Sequence, residues 1–258
     1  MIRLFYIFSL ILIVHSCKEK PTPSTTQEKE QSTVLTAQQI VDKAIAASGG
    51  SVIENSTIHF KFRDYYYNAT RANGSTTLDR CTDPECLLQQ DKIKENGEFV
   101  RFRESAPVPV PDSMAPRYSN SINSVHYFSV LPYGLNDPAV HKELISPTEI
   151  NGKSYYRIKV TFSEEGGGED FEDEYMYWID KENYHTDYIA YNYQVDEGGT
   201  RFREAYNERI VNGVRFVDYR NYKPEEQYPP LTDLIDLFEN KKLKLLSKIE
   251  LEGITVIQ

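Results

Sequence analysis

Apolar residues recur at helical spacing in one early stretch, Ile40, Val41, Ala44, Ile45 and Ala47. Thr36-Ala37-Gln38-Gln39 in front of it fits a capping box, with Thr36 as N-cap and Gln39 at the third helical position, and Gly49-Gly50 ends the run. Beyond it the period drops to two, as in Ile58-His59-Phe60-Lys61-Phe62-Arg63. Asn-Gly pairs at Asn96-Gly97, Asn151-Gly152 and Asn212-Gly213 separate alternating segments, and Gly198-Gly199 marks a further hairpin. A two-residue type I′ turn needs positive φ at both central positions, which these residues tolerate. The pattern predicts strands near 56–68, 75–81, 86–94, 98–104, 142–150, 153–163, 172–180, 185–195, 200–210, 214–222 and 244–257. Two helical interruptions are predicted. Ser119–Leu131 follows a Pro-rich loop (Pro107, Pro109, Pro111, Pro116), and Thr232–Glu239 follows Pro229-Pro230 with Thr232 as a cap. The result is a mainly β (α+β) meander of about eleven antiparallel strands with a few helices. No βαβ alternation appears, which excludes a doubly wound fold and a (β/α)₈ barrel.

The N-terminus changes the setting. Arg3 precedes an apolar run, Leu4–Val14, that is too short to span a bilayer as a helix. The run ends in Val14-His15-Ser16-Cys17, which resembles the lipobox of bacterial lipoproteins. Residues 1–16 are therefore expected to be a lipoprotein signal peptide, with Cys17 the lipidated first residue of the mature chain. Several acyl chains on one cysteine give stable anchoring where one chain is marginal. Residues 17–35 are polar and Pro/Ser/Thr-rich and are expected to form a disordered tether, leaving 36–258 as one domain. Lys18, rather than Asp, follows the cysteine; by analogy with lipoprotein sorting this implies the outer membrane, with the leaflet left open.

Composition sets further bounds. The 258-residue chain has a net charge of −10, about −11 once Arg3 leaves with the signal. That argues against nucleic acid as the main partner and against attachment to anionic lipid by charge alone. Tyrosine is abundant, 19 residues against a single Trp, and suits strands with an apolar body and a polar tip. Of the 3 cysteines, Cys81 and Cys86 remain as a pair in an exported protein, and a local disulfide closing a turn is expected. A metal site would need more Cys or His nearby, so no metal and no cofactor is expected.

Several segments carry a resemblance: Ala44–Gly50 (AIAASGG), Gly167–Asp180 (GGEDFEDEYMYWID), Arg201–Tyr206 (RFREAY), Asn212–Tyr222 (NGVRFVDYRNY) and Leu246–Glu250 (LSKIE). Over roughly residues 36–257 the chain resembles a family of flavobacterial (Bacteroidota) lipoproteins of unknown function. At fold level the opening helix, the meander of long strands and the strand end at 177–180 resemble the lipoprotein-carrier (LolA/LolB-like) group. That resemblance implies a single antiparallel half-barrel whose helices cover the concave face, with a lipid or other apolar ligand held in the cavity. Asp112-Ser113-Met114 fits the short O-glycosylation acceptor pattern of Bacteroidota, which makes Ser113 a candidate.

Candidate chemistry follows from residue type and strand position. Phe60, Phe62, Phe99, Tyr155, Phe162, Tyr175, Tyr177, Tyr191 and Phe202 could line a cavity, covered by helical Tyr127, Phe128 and Leu131; ordinary core packing uses the same residues. Arg101-Phe102-Arg103-Glu104 recurs as Arg201-Phe202-Arg203-Glu204, each with Phe on one face and two Arg on the other. Together with Arg63 these arginines suit a carboxylate or phosphate head group, or else cross-strand pairing with acids. The acidic loop Ser163–Glu174 with Gly166-Gly167-Gly168 reads as a solvated hairpin loop; its spacing does not fit an EF-hand. No nucleophile-and-base or phosphate-loop motif is present, and Lys159 on a strand gives no ground for an aldolase label, which needs a (β/α)₈ chain. The expected function is an outer-membrane-anchored lipoprotein that binds a lipid or other hydrophobic ligand in the cell envelope. The alternatives are a ligand-free structural or interaction lipoprotein and, third, an enzyme.

Overall fold

The fold begins as the pattern implies. In the computed structural model, which describes residues 35–165, 171–194 and 197–258, helix α1 (Ala37–Ala47) starts on a complete capping box. The Gln39 amide donates to Thr36 Oγ1 at 3.2 Å and the Thr36 amide donates to Gln39 Oε1 at 2.9 Å. The signal peptide, Cys17 and almost all of the tether lie outside the described residues, as does the centre of the acidic loop. Gly49 has a positive φ of 84°, and a Cβ there would sit 2.1 Å from the Gly213 carbonyl oxygen, so this position needs glycine for conformation and for space. A short helix, α2 (Gly50–Ile53), follows.

Among the described residues, fourteen strands form two seven-stranded antiparallel sheets. The first contains β1 (Thr57–Phe62), β2 (Tyr65–Ala72), β3 (Ser75–Cys81), β4 (Gln89–Ile93), β5 (Phe99–Arg103), β6 (Ala106–Val108) and, beside β1, the last strand β14 (Glu252–Ile257). The second contains β7 (Val140–Ile150), β8 (Lys153–Phe162), β9 (Glu174–Asp180), β10 (Thr186–Tyr193), β11 (Gly199–Val211), β12 (Val214–Lys223) and β13 (Lys244–Ile249), each paired with its neighbour in sequence. Helix α3 (Ala115–Ser129) lies between the two runs of strands in sequence, and a 3₁₀ turn, Leu231–Asp233, leads into α4 (Leu234–Glu239) before β13.

The expected mainly β class with a few helices stands, and the sheets are not closed. The strand count rises from about eleven to fourteen because some turns carry no glycine. Arg63, with φ of 55°, turns β1 into β2, and Glu104 and Ser105, at 47° and 64°, turn β5 into β6. The apolar run at 244–257 divides at Glu250-Leu251, so β13 and β14 belong to different sheets. A further Asn-Gly pair, Asn73-Gly74, closes β2 onto β3 with φ of 53° and 77°. Helix α3 starts earlier than predicted, with Pro116 in its first turn, where a missing amide costs nothing.

Buried Asp218 fixes the corner between the sheets. It accepts from Arg209 Nη2 at 2.8 Å, from the Leu251 amide at 3.0 Å and from Asn207 Nδ2 at 2.6 Å. The second sheet is apolar on both faces. One face buries Met176, Trp178, Ala190 and Phe202 under Leu231, Leu234 and Ile235 of the α4 region. The other carries Ile158, Tyr177, Ile179 and Ile189 against Ile40, Val41 and Ala44 of α1 and Leu131 and Leu135. Helix α3 rests on the first sheet through Ile122, packed with Ala69 and Leu78, and through His126, whose Nε2 donates to the Asp79 carbonyl at 3.1 Å.

Candidate functional site

The period of two along β9 to β13 decides what faces α3. Register pairs Tyr175 with Tyr191 and Tyr191 with Arg201. The next row runs Tyr177, Ile189, Arg203, Asn221 and Ser247, and the one after it Ala205, Tyr219 and Ile249. Part of this face is covered by α1. The rest forms the floor of a cavity of about 360 Å³, also lined by Ser124, Val125 and Phe128 of α3, by Phe62 of β1, by Arg63 of the β1–β2 turn and by Leu251 between β13 and β14. This volume is at the lower end of small-molecule sites, roughly 300–1,000 Å³.

The cavity is aromatic and positively charged. Tyr175 stacks on Tyr191 at 5.0 Å between centroids, and Phe128 lies 5.6 Å from Tyr191 and 6.4 Å from Tyr175. Burial raises the phenol pKa of Tyr175 well above its ordinary value and pushes that of Tyr219 up to about 12, so both stay neutral hydroxyls. Arg203 is only 8% exposed. Its guanidinium lies 3.7 Å from the Phe128 centroid, its Nη2 donates to the Tyr191 hydroxyl at 2.8 Å, and its Nε has no partner among the described residues. Arg201, two residues away on the same face, donates to the Tyr193 hydroxyl at 2.5 Å and to the Thr200 carbonyl at 2.9 Å. Three arginines and one aspartate, Asp173, line the cavity, a formal +2 in a chain of net −10. This set of groups attracts an anion beside an apolar wall.

Of the residues singled out from the sequence, Phe62, Phe128, Tyr175, Tyr191, Arg63, Arg201 and Arg203 meet at this cavity. The others lie elsewhere. Phe60 stacks on Tyr67 at 5.3 Å within the first sheet's core, and Phe99 stacks on Tyr118 at 5.9 Å. The hydroxyls of Tyr127 and Tyr177 meet at 3.2 Å beneath α3, and Leu131 packs into the same core. Phe202 faces the opposite side of its sheet, 5.0 Å from Phe238, and Tyr155 packs on that side too. Phe162 lies 5.7 Å from Tyr175. Arg101 and Arg103 are on β5 in the other sheet, where Arg101 meets Asp91 and Arg103 Nε donates to Gln89 at 3.3 Å. Lys159 pairs with Glu174 at 2.7 Å. Ser113 is exposed ahead of α3, and Cys81 and Cys86 form a disulfide. Tyr193, Val217, Tyr219, Asn221 and Ile249 also line the cavity and were not singled out. The alternation Val217-Tyr219-Asn221, in register with Arg203 and Ala205, is the signal that would have found three of them.

Fold and site thus define an open antiparallel β protein with an aromatic, arginine-bearing groove under a helix. Residues 31–251 match the family of unknown function DUF6503, and the chain belongs to that family. No curated protein matches the sequence. Among solved structures the chain is similar to a LolA superfamily protein from Nitrosomonas europaea, with 13% identity and a TM-score of 0.48 over 86% of this chain and 94% of that one. It is also similar to a DUF1329 family protein from Desulfovibrio piger, at 10% identity and a TM-score of 0.47 over 75% and 89% of the two chains. A third is a domain from Vibrio parahaemolyticus named for outer membrane lipoprotein sorting, at 9% identity and a TM-score of 0.42 over 72% and 85%.

Proposed function

We propose that the protein is an envelope lipoprotein, tethered to the outer membrane through Cys17, whose domain binds a lipid or other hydrophobic small molecule in the groove between α3 and the second sheet. One observation carries this reading: a cavity of about 360 Å³ is bounded by Phe62, Phe128, Tyr175, Tyr191 and Tyr219. Aromatic and apolar walls left open lose packing contacts, and ligand binding recovers them.

The test uses the whole chain with Cys17→Ser, which carries no acyl chains of its own. Native mass spectrometry of material purified from the envelope fraction, followed by solvent extraction, is expected to show a bound apolar species of defined mass. Its absence, together with unchanged thermal stability on adding single-chain and double-chain lipids, sinks the proposal. A second reading, an interaction lipoprotein without a ligand, rests on Leu87 and Leu88, which are 58% and 64% exposed beside the Cys81–Cys86 disulfide. It predicts that Leu87→Ser with Leu88→Ser abolishes co-purification of a stable envelope partner and leaves lipid extraction unchanged.

A further inference from the structure

Five of the twelve described arginines meet carboxylates. Arg80 and Arg101 share Asp91, Arg209 meets Asp218, Arg215 meets Glu208 and Asp187, and Arg220 meets Glu204. Arg203 and Arg201 are not among these five. Their partners are two tyrosine hydroxyls and a main-chain carbonyl, and no described carboxylate stands within 4.0 Å of either guanidinium. A buried guanidinium bonded only to neutral acceptors keeps most of its attraction for an anion, and an unpaired Nε is a donor without an acceptor.

Both arginines project from one strand face into the groove, and a third, Arg63, lines it from the β1–β2 turn. Another portion of the lining is apolar, Val125, Phe128, Val217, Ile249 and Leu251, and Asp173 is the one carboxylate among the described lining residues. A ligand that satisfies both portions has an anionic end and an apolar body. The volume limits the body. At about 360 Å³ the cavity is at the lower end of small-molecule sites, which favours one medium-length chain over a pair.

We propose that the groove selects a single-chain amphiphile with an anionic end, a carboxylate or a phosphate monoester, whose charge is bound by Arg203 and Arg201. This rests on the groove-binding reading above. The planar guanidinium of Arg203 lies against Phe128, which fixes its plane, so a carboxylate or phosphate approaching along the floor meets oriented donors rather than a mobile point charge.

Calorimetry on the full chain with Cys17→Ser separates the two proposals. The probes, used below their micelle concentrations, are dodecanoate, dodecyl phosphate and the neutral dodecanol, with a dispersed double-chain phosphatidylglycerol as competitor. At least one of the two anions is expected to bind about ten- to hundredfold more tightly than dodecanol, the size of one charge-assisted hydrogen-bonded contact. Which anion binds better tells a carboxylate source from a phosphate source. Arg203→Gln is expected to remove that preference, and Arg201→Gln to reduce it by less. Should Arg203→Gln fail to fold, the loss of preference in Arg201→Gln decides. Equal binding of anions and dodecanol by the unsubstituted groove overturns the anionic end while leaving the groove-binding reading intact. Displacement of dodecanoate by phosphatidylglycerol at equal affinity overturns the single chain. Failure of all three single-chain probes and of the phospholipid to bind overturns the groove-binding reading itself.

Discussion

The tetrapeptide Arg-Phe-Arg-Glu stands on β5 of one sheet and on β11 of the other, and the two copies do different things. On β5, Arg101 makes two hydrogen bonds to Asp91, 2.5 and 2.8 Å long, and Arg80 adds a third at 2.7 Å. On β11, Arg203 meets a tyrosine hydroxyl and lines an open groove. Their other surroundings are alike, since both lie against an aromatic of α3: Tyr118 is 4.3 Å from Arg101 and Phe128 is 3.7 Å from Arg203. The neighbouring strand makes the difference. β4 places Asp91 opposite Arg101, whereas β10 places Tyr191 opposite Arg201 and diagonal to Arg203. One cross-strand carboxylate turns a guanidinium into a structural cation, and a hydroxyl in its place leaves it available.

The largest effect should come from removing that carboxylate. Asp91 is 1% exposed and serves two cations. Asp91→Ala leaves both partly buried guanidiniums unpaired and is expected to cost about 3–5 kcal/mol in urea unfolding. A cost near zero would mean that the β5 copy is as free as the β11 copy, and the contrast would collapse. Next in size is the helix that both copies lean on. Burial lowers the His126 pKa from 6.5 to about 3, with the hydrogen bond to the Asp79 carbonyl opposing the shift. Above pH 6.5 the imidazole is neutral in both states. Between 6.5 and 3 the unfolded chain takes a proton that the folded chain refuses, so stability falls as the pH drops, by about 1.4 kcal/mol per unit. His126→Gln keeps an amide donor for the Asp79 carbonyl and cannot titrate. Between pH 7 and pH 4 it should lose about 3 kcal/mol less stability than the unsubstituted protein. Equal losses would show that α3 is not held down through a neutral His126.

Much of this contrast could be seen in the sequence, and part of it could not. The alternation within Arg201-Phe202-Arg203 fixed which residues share a face, and the structure keeps Phe202 under α4 and both arginines on the groove side. The capped first helix, the hairpins at Asn151-Gly152 and Asn212-Gly213, and the helix before Pro132 were equally legible, because caps and positive-φ turns leave a local chemical trace. The pairing of strands left no such trace. Whether a strand's neighbour offers Asp91 or Tyr191 depends on register between segments, and register depends on turns such as Arg63-Asp64 that contain no glycine. The split of 244–257 between two sheets was hidden for the same reason, since its corner is made by Asp218 and Arg209, far away in sequence. Hence Phe60, Phe99 and Phe202 looked equivalent to Phe62 until the sheets were in place.

A paired substitution sharpens the comparison at lower energy. Arg101→Met removes one of the two cations on buried Asp91 and should cost about 2 kcal/mol, within the range for hydrogen bonds to charged groups. Arg203→Met breaks no ion pair within 4.0 Å among the described residues and keeps an apolar stem under Phe128. It should cost less than about 1 kcal/mol, near the cation–π and neutral hydrogen-bond contributions it forfeits offset by relief of a desolvated charge. Chemical denaturation of the two variants side by side reads the difference. Equal costs would place Arg203 among the structural cations and leave the groove without its anion site.

The smallest effect is the most discriminating. Tyr191→Phe deletes the hydroxyl that accepts from Arg203 and keeps the ring stacked 5.0 Å from Tyr175. Stability should fall by about 1 kcal/mol or less, the net worth of one hydrogen bond. The guanidinium plane stays fixed by Phe128 at 3.7 Å, so the freed Nη2 donor passes to the ligand. The preference of the groove for dodecanoate over dodecanol should therefore rise by about two- to fivefold, the equivalent of part of one hydrogen bond. A fall in that preference would mean that the hydroxyl, and not the ring of Phe128, holds Arg203 in place. Tyr191 would then be a positioning residue, and the hydroxyl that stands where Asp91 stands on the other sheet would orient the cation without neutralising it.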